Sequence, residues 1–199
     1  MEIGALLQAL HVAEQLKNNT RHSWTSDGRH ESVAEHSWRV TLMAYFVKDE
    51  YPDLDMNRVL LMCLIHDLGE ALTGDIPAFV KTEADEERES ALLSQWVSSL
   101  PEPFREEMDE LYREMDAQET AEARLYKALD RMETIIQHNE APISTWLPLE
   151  YEKNLVYGKE QCAFSPYTSA LQERVKNDCL EKIRREGSGE PAENQENTP

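Results

Sequence analysis

Residues Val59–Asp75 read VLLMCLIHDLGEALTGD, and this stretch decides how the rest of the chain is read. Val59, Leu60, Cys63 and Leu64 give one apolar helical face, and Asp55 is placed to cap its start. His66 and Asp67 then come side by side, followed by Glu70, a turn at Thr73–Gly74, and Asp75. Four groups able to bind a metal or carry a proton thus leave one helix end in quick succession. An aspartate near a helix C-terminus meets the unfavourable end of the dipole, so a positive partner such as a metal ion is expected beside Asp67. Neighbouring side chains on a regular helix point about 100° apart. His66 and Asp67 can therefore share one ion only where the helix frays or kinks, which Gly69 permits. Gly74 and Pro77 predict a tight, fixed loop after it.

Upstream, Leu6, Leu7, Leu10, Ala13 and Leu16 recur at helical spacing and predict a first helix over 4–17. Residues 18–31, NNTRHSWTSDGRHE, lack an apolar period and hold many turn formers. They read as a loop carrying Arg21 and Trp24, either a plain surface connection or a pocket rim in which Arg grips an anion and Trp gives an apolar wall. Ser32-x-x-Glu35 fits a capping box that starts the next helix. His36, Val40, Met43 and Val47 follow on one face, so His36 sits on the buried stripe. A core histidine satisfied by a carbonyl and a metal ligand both fit that position. Glu31, just before it, is either acid near a helix start or a support for a ligand.

Downstream, residues 83–99 start acidic and become amphipathic, and 104–115 give another short helix. Residues 119–139 show the stripe Leu125, Ala128, Leu129, Met132, Ile135 and Ile136, with Asp130 just beside it. Asp130 can be a ligand or can pair with Lys127 or Arg131 on a solvated flank. Lys81 can reach a phosphate or simply sit in solvent. Residues 149–160 predict a short helix and 167–185 a last one, with Leu171, Val175, Cys179 and Ile183 on its face. No segment shows convincing strand alternation, so the chain reads as all-α. Residues 1–186 are expected to form a single domain with a C-terminal helical extension, and the tail 187–199 to be disordered and acidic.

Composition narrows the partners. The 199 residues include 39 Asp and Glu against 20 Lys and Arg, a formal charge of -19. That disfavours a nucleic-acid polymer or an anionic membrane, whose phosphates would be repelled. It leaves room for a small phosphorylated substrate, because a metal and one or two Arg can dominate the field inside a pocket. Three widely spaced cysteines without a C-x-x-C motif read as reduced, buried thiols of a cytoplasmic protein. Neither a signal peptide nor a transmembrane run is expected.

His36, His66, Asp67 and Asp130 offer two imidazoles and two carboxylates, a set suited to a borderline or moderately hard divalent ion such as Mn, Fe, Co, Ni or Zn. The spacing matches neither H-E-x-x-H nor a cysteine-rich zinc pattern, so it makes a metal site plausible without selecting the ligands. ESVAEHS at 31–37, IHDLGEALTGDIP at 65–77 and KALDRMETI at 127–135 resemble the HD-domain metal-dependent phosphohydrolases, most closely the 5'-deoxynucleotidase branch. The resemblance implies an HD-domain helical bundle, commonly a homodimer. It implies one divalent ion per chain (Co, Mn, Fe, Ni, Zn or Mg) on His36, His66, Asp67 and Asp130. It further implies Glu70 in proton transfer, Asp75 near substrate or water, and Arg21 with Trp24 in the substrate pocket. The R-H-S-W spacing here departs from the adjacent R-W of some bacterial members. The expected activity is removal of the 5' phosphate from (deoxy)nucleoside monophosphates. The alternatives are action on nucleoside di- or triphosphates or cyclic nucleotides, and a metal-stabilised regulatory or scaffold protein. The absence of histidine between 67 and 137 disfavours a histidine-rich second metal site.

Overall fold

The computed structural model describes residues 1–77 and 79–187. It is organised around one long helix, α7 (Ala121–Glu140), whose start is capped by Thr120. Apolar residues cover both sides of α7, so it is packed on two flanks. Leu125 and Leu129 face a core shared with α2 (Val33–Val47), α3 (Met56–Ile65) and α6 (Phe104–Ala117). Ala128, Met132 and Ile135 face a second core built with Trp146, α9 (Lys159–Cys162) and α10 (Pro166–Glu186). Removing Leu129, Met132 or Met62 from water contributes about 2–3 kcal/mol each.

The helix starts follow their sequence signals. Ser32 accepts from the Glu35 backbone N–H while Glu35 Oε2 accepts from the Ser32 backbone N–H at 2.9 Å, the expected capping box. Asp55 accepts from the N–H groups of Asn57 and Arg58 to start α3. Thr82 caps α5 (Glu83–Ser98) in a box with Asp85. A short helix, α4 (Glu70–Thr73), ends at Gly74, whose φ of 80° places the expected turn there. The expected disorder of the tail falls, beyond Gly187, outside the described residues.

Two expectations need correcting. The loop over 18–31 contains a small antiparallel hairpin, β1 (Thr20–Trp24) and β2 (His30–Ser32). Its pairing is irregular between Thr20 and Trp24, which is why no strand alternation announces it. The helix expected over 149–160 is broken into α8 (Glu150–Lys153) and α9. Gly158 separates them at φ 70°, where a Cβ would stand 2.6 Å from Met132 Cε. The first helix, α1 (Ile3–Asn18), forms as expected, but only Leu16 of its apolar stripe is buried. Leu7 and Leu10 are 61% and 56% exposed. Periodicity located a helix but could not say what covers it. Among the described residues no helix is long and apolar enough to cross a membrane. Cys63, Cys162 and Cys179 are free and buried.

Candidate active site

α3 stops at Ile65, and the chain tightens instead of kinking. Leu68 donates to the Ile65 carbonyl and Glu70 to that of Asp67, both at 3.0 Å. These i to i+3 bonds depart from α-helical winding. At this irregular end His66 and Asp67 meet, with His66 Nε2 lying 3.2 Å from Asp67 Oδ2. Gly69 is in ordinary right-handed backbone, so it does not supply the irregularity. Its role is close approach, since a Cβ there would stand 2.9 Å from Glu89 Cγ.

The two histidines come from different helices. His36, one turn into α2, is fully buried, and its Nε2 lies 3.2 Å from His66 Nε2. Each ring spends its other nitrogen elsewhere. His66 Nδ1 meets the Cys63 carbonyl at 2.9 Å, and His36 Nδ1 meets Glu133 Oε2 at 2.5 Å. If both Nδ1 atoms carry hydrogen, two lone pairs face each other at Nε2, an arrangement relieved by a proton on one of them or by a cation between them. Asp130 arrives from α7 with Oδ1 3.3 Å from His36 Nε2 and 3.8 Å from His66 Nε2. Its other oxygen takes Lys127 Nζ at 2.9 Å, so the expected pairing with Lys127 is present, at a buried position and not on a solvated flank.

This donor set fits a divalent ion. His36, His66 and Asp67 each bring one ligand atom within 4.8 Å of the others, and Asp130 adjoins them. Metal–nitrogen bonds of about 2.0–2.1 Å would put ligand atoms about 3.0–3.4 Å apart, close to the spacings found. The electrostatics agree. Burial works against the charged form of His36, yet Asp130 and Glu133 outweigh it and hold the imidazole up at about 9. Burial would raise Asp67, but His66, His36 and Arg21 hold its carboxyl well below the usual range. Lys127 and the two histidines do the same for Asp130 against its burial. The site asks for positive charge at the two Nε2 atoms.

Beside these residues opens a cavity of about 800 Å³, lined by Asp67, Asp130, Arg21, Glu70 and Asp75 among others. That is ample for a nucleotide-sized ligand. Arg21, on β1, donates to Asp67 Oδ2 and to Thr134 Oγ1, each at 3.3 Å, and its Nε lies 3.4 Å from Glu31. Burial, with Asp67 and Asp75 close by, pushes the Glu70 carboxyl up to about 10. Burial raises Asp75 too, opposed by Arg21. Burial and Glu133 push Glu31 up to about 7. Lys81 lines the rim and pairs with Glu89 at 2.7 Å, so it is neither free in solvent nor at the centre. Trp24 lies apart from the cavity-lining residues. Its ring sits 3.9 Å from that of His30, whose Nδ1 meets the Arg21 carbonyl at 3.0 Å. It braces the strand that carries Arg21.

Sequence reasoning missed Glu133, the partner of His36, and His22, which lines the cavity instead of Trp24. A signal for Glu133 existed. It is an acid within the apolar stripe of α7, one turn after Asp130, and such a residue needs a buried partner.

A family profile described as "HD domain" matches residues 13–172. The chain is similar to the human protein named 5'-deoxynucleotidase HDDC2, with 38% identity over 140 residues, 68% of each chain. It is similar to 5'-deoxynucleotidase hdd1 of Schizosaccharomyces pombe at 27% identity, covering 67% of this chain and 70% of that one. Among solved structures, a protein of Magnetospirillum magnetotacticum MS-1 described as "Predicted metal-dependent phosphohydrolase" superposes with a TM-score of 0.76 at 28% identity. That match covers 90% of this chain and 93% of the other. An HD-domain phosphohydrolase of Listeria innocua shares the fold, with a TM-score of 0.68 at 20% identity over 92% of this chain and 91% of that one. A helical frame around α7, with histidines and aspartates converging from α2, the end of α3 and α7, is thus joined to a profile match over most of the chain: this protein belongs to the HD-domain family.

Proposed function

We propose that this chain is a metal-dependent phosphohydrolase that removes the 5' phosphate from (deoxy)nucleoside monophosphates. One observation carries the reading: the convergence of His36, His66, Asp67 and Asp130 at the wall of a cavity that also holds Arg21, Glu70 and Asp75. The names of the HDDC2 relatives supply the substrate class. One divalent ion per chain, Mn, Co, Fe, Ni, Zn or Mg, would be held by the two histidines and two aspartates. Bound there, it would supply Lewis-acid activation of water and neutralise charge on the phosphoryl oxygens.

The chain's own residues do the rest. Arg21 turns its planar fork to the phosphate, and its link to Asp67 keeps the guanidinium beside the ligands. Water attacks phosphorus in line and the nucleoside 5' oxygen leaves. Glu70 is the proton carrier between them. Its buried, acid-flanked carboxyl holds a proton far above the usual range, where it can serve a leaving oxygen. Asp75 orients water or the sugar hydroxyl, and Lys81 adds positive charge at the rim. Trp24 acts behind Arg21 as a brace. The protein works as a cytoplasmic homodimer. Three free buried thiols support the compartment, and the exposed apolar side chains of Leu7, Leu10, Trp38 and Phe46 on α1 and α2 support pairing with a second copy.

The test is phosphate release from a panel of deoxy- and ribonucleoside mono-, di- and triphosphates with several divalent ions. The account expects the monophosphates to be preferred and the activity to vanish in His66→Ala and Asp67→Ala. Activity intact in both variants sinks it.

A further inference from the structure

The metal site accounts for Nε2 of His36 but not for what holds the ring. We infer that Glu133 is the positioning residue that fixes His36 as a ligand, and that Arg39 locks Glu133 in place. His36 Nδ1 lies 2.5 Å from Glu133 Oε2, and both side chains are fully buried. An ionised carboxylate oxygen can only accept. Nδ1 therefore carries the hydrogen, and the Nε2 lone pair is left to face Asp67, Asp130 and His66. His66 reaches the same tautomer through a neutral acceptor, the Cys63 carbonyl. A charged acceptor makes the stronger bond and leaves His36 the more electron-rich donor.

Glu133 is itself held. Its second oxygen has no hydrogen bond and faces Arg39 Nε at 3.5 Å. Arg39 is fixed from its other edge, donating to Gln137 Oε1 at 2.7 Å and to both oxygens of Glu140 at 2.8 Å. The Gln137 amide donates in turn to the Trp24 carbonyl at 2.6 Å. A chain of polar contacts thus runs from the hairpin, through one face of α7, to the ring of His36. Glu31, His36 and Glu133 also place ligand atoms within 4.8 Å of one another, which would suit a second ion. Guanidinium groups already occupy that role, with Arg21 3.4 Å from Glu31 and Arg39 beside Glu133. The cluster holds a ring and leaves no need for another metal.

This inference rests on the metal-ligand role of His36 proposed above, and its test needs no substrate. Mn²⁺ and Co²⁺ affinities are measured on the purified chain by competition with a fluorescent chelator. Glu133→Gln keeps the volume but can offer an amide hydrogen to Nδ1, which drives the wrong tautomer. The expected result is affinity weakened by about 10–100-fold. The metal-free circular dichroism stays unchanged and the visible spectrum of the Co²⁺ form alters. Glu133→Asp recovers part of the affinity. Unchanged affinity and spectrum in a folded Glu133→Gln overturn the inference. If that variant does not fold, the partly exposed Arg39 decides: Arg39→Gln with weakened metal binding supports the chain of contacts, and unchanged binding overturns it. Wild-type protein that binds metal but releases no phosphate would sink the proposed reaction and leave this inference standing.

Discussion

Replacing Arg21 separates its two roles. The guanidinium touches Asp67 and Thr134 at 3.3 Å and Glu31 at 3.4 Å, with its side chain 13% exposed. Arg21→Met leaves two acids without their cation. Breaking a buried ion pair costs about 3–5 kcal/mol. Two features reduce that here. Asp67 keeps His66 at 3.2 Å, and Glu31, already pushed up to about 7, takes on a proton near neutrality with little penalty. A loss of about 2 kcal/mol is therefore expected in the metal-free protein, read as a fall in Tm of about 4–8 °C for a domain of this size. Catalysis should lose a comparable amount. A hydrogen bond to a charged group contributes about 1.5–3 kcal/mol, which is roughly one to two orders of magnitude in kcat/KM. Arg21→Lys keeps the charge and most of the Tm but not the fork, so its kcat/KM should still fall about tenfold. Thermal melts and phosphate release on one nucleoside monophosphate give both numbers. A folded Arg21→Met with unchanged Tm and unchanged kcat/KM would refute the reasoning.

Other predictions concern the frame and its charge. Leu129→Ala, at a fully buried position shared with α2, α3 and α6, should cost about 2–5 kcal/mol in urea unfolding. Ser32→Ala removes the cap one turn before His36, should cost about 1 kcal/mol, and should speed hydrogen exchange in the first turn of α2. Metal-free protein should lose stability as pH rises from 7 to 9. Glu70 has a folded pKa raised to about 10, so across this window the native state holds a proton that the unfolded state has released, and raising the pH removes that preference; Glu31, raised to about 7, loses most of its contribution by neutrality. His36, raised to about 9, has the same sign: its contribution is full below the unfolded imidazole value and is lost through 9. Added Mn²⁺ should reverse the trend, because ligation needs deprotonated His36 and displaces its proton. Parallel pH profiles with and without metal would contradict this.

Much of the site was legible because its signals are local. The Ser32–Glu35 box located His36 one turn inside a helix, and the apolar run before His66 located the end at which His66 and Asp67 turn together. Asp130 was visible beside a stripe on α7, although only the fold shows that Lys127 and the histidines share its two oxygens. What could not be read depends on distant partners. Glu133 meets His36 across 97 positions, and no spacing rule connects them. The hairpin that carries Arg21 has irregular register and so no alternation to find. The stripe of α1 obeys helical periodicity, but periodicity does not distinguish a buried face from an exposed one.

The central claim is that one ion held by His36, His66, Asp67 and Asp130 makes this cavity a phosphatase site. Its most direct test is metal content by elemental analysis alongside phosphate release from nucleoside monophosphates, for wild type and Asp130→Ala, before and after chelation and reloading. The account predicts near one ion per wild-type chain, activity lost on chelation and restored on reloading, and both metal and activity lost in Asp130→Ala. Phosphate release that persists in chelated protein, or undiminished metal and activity in Asp130→Ala, would contradict it.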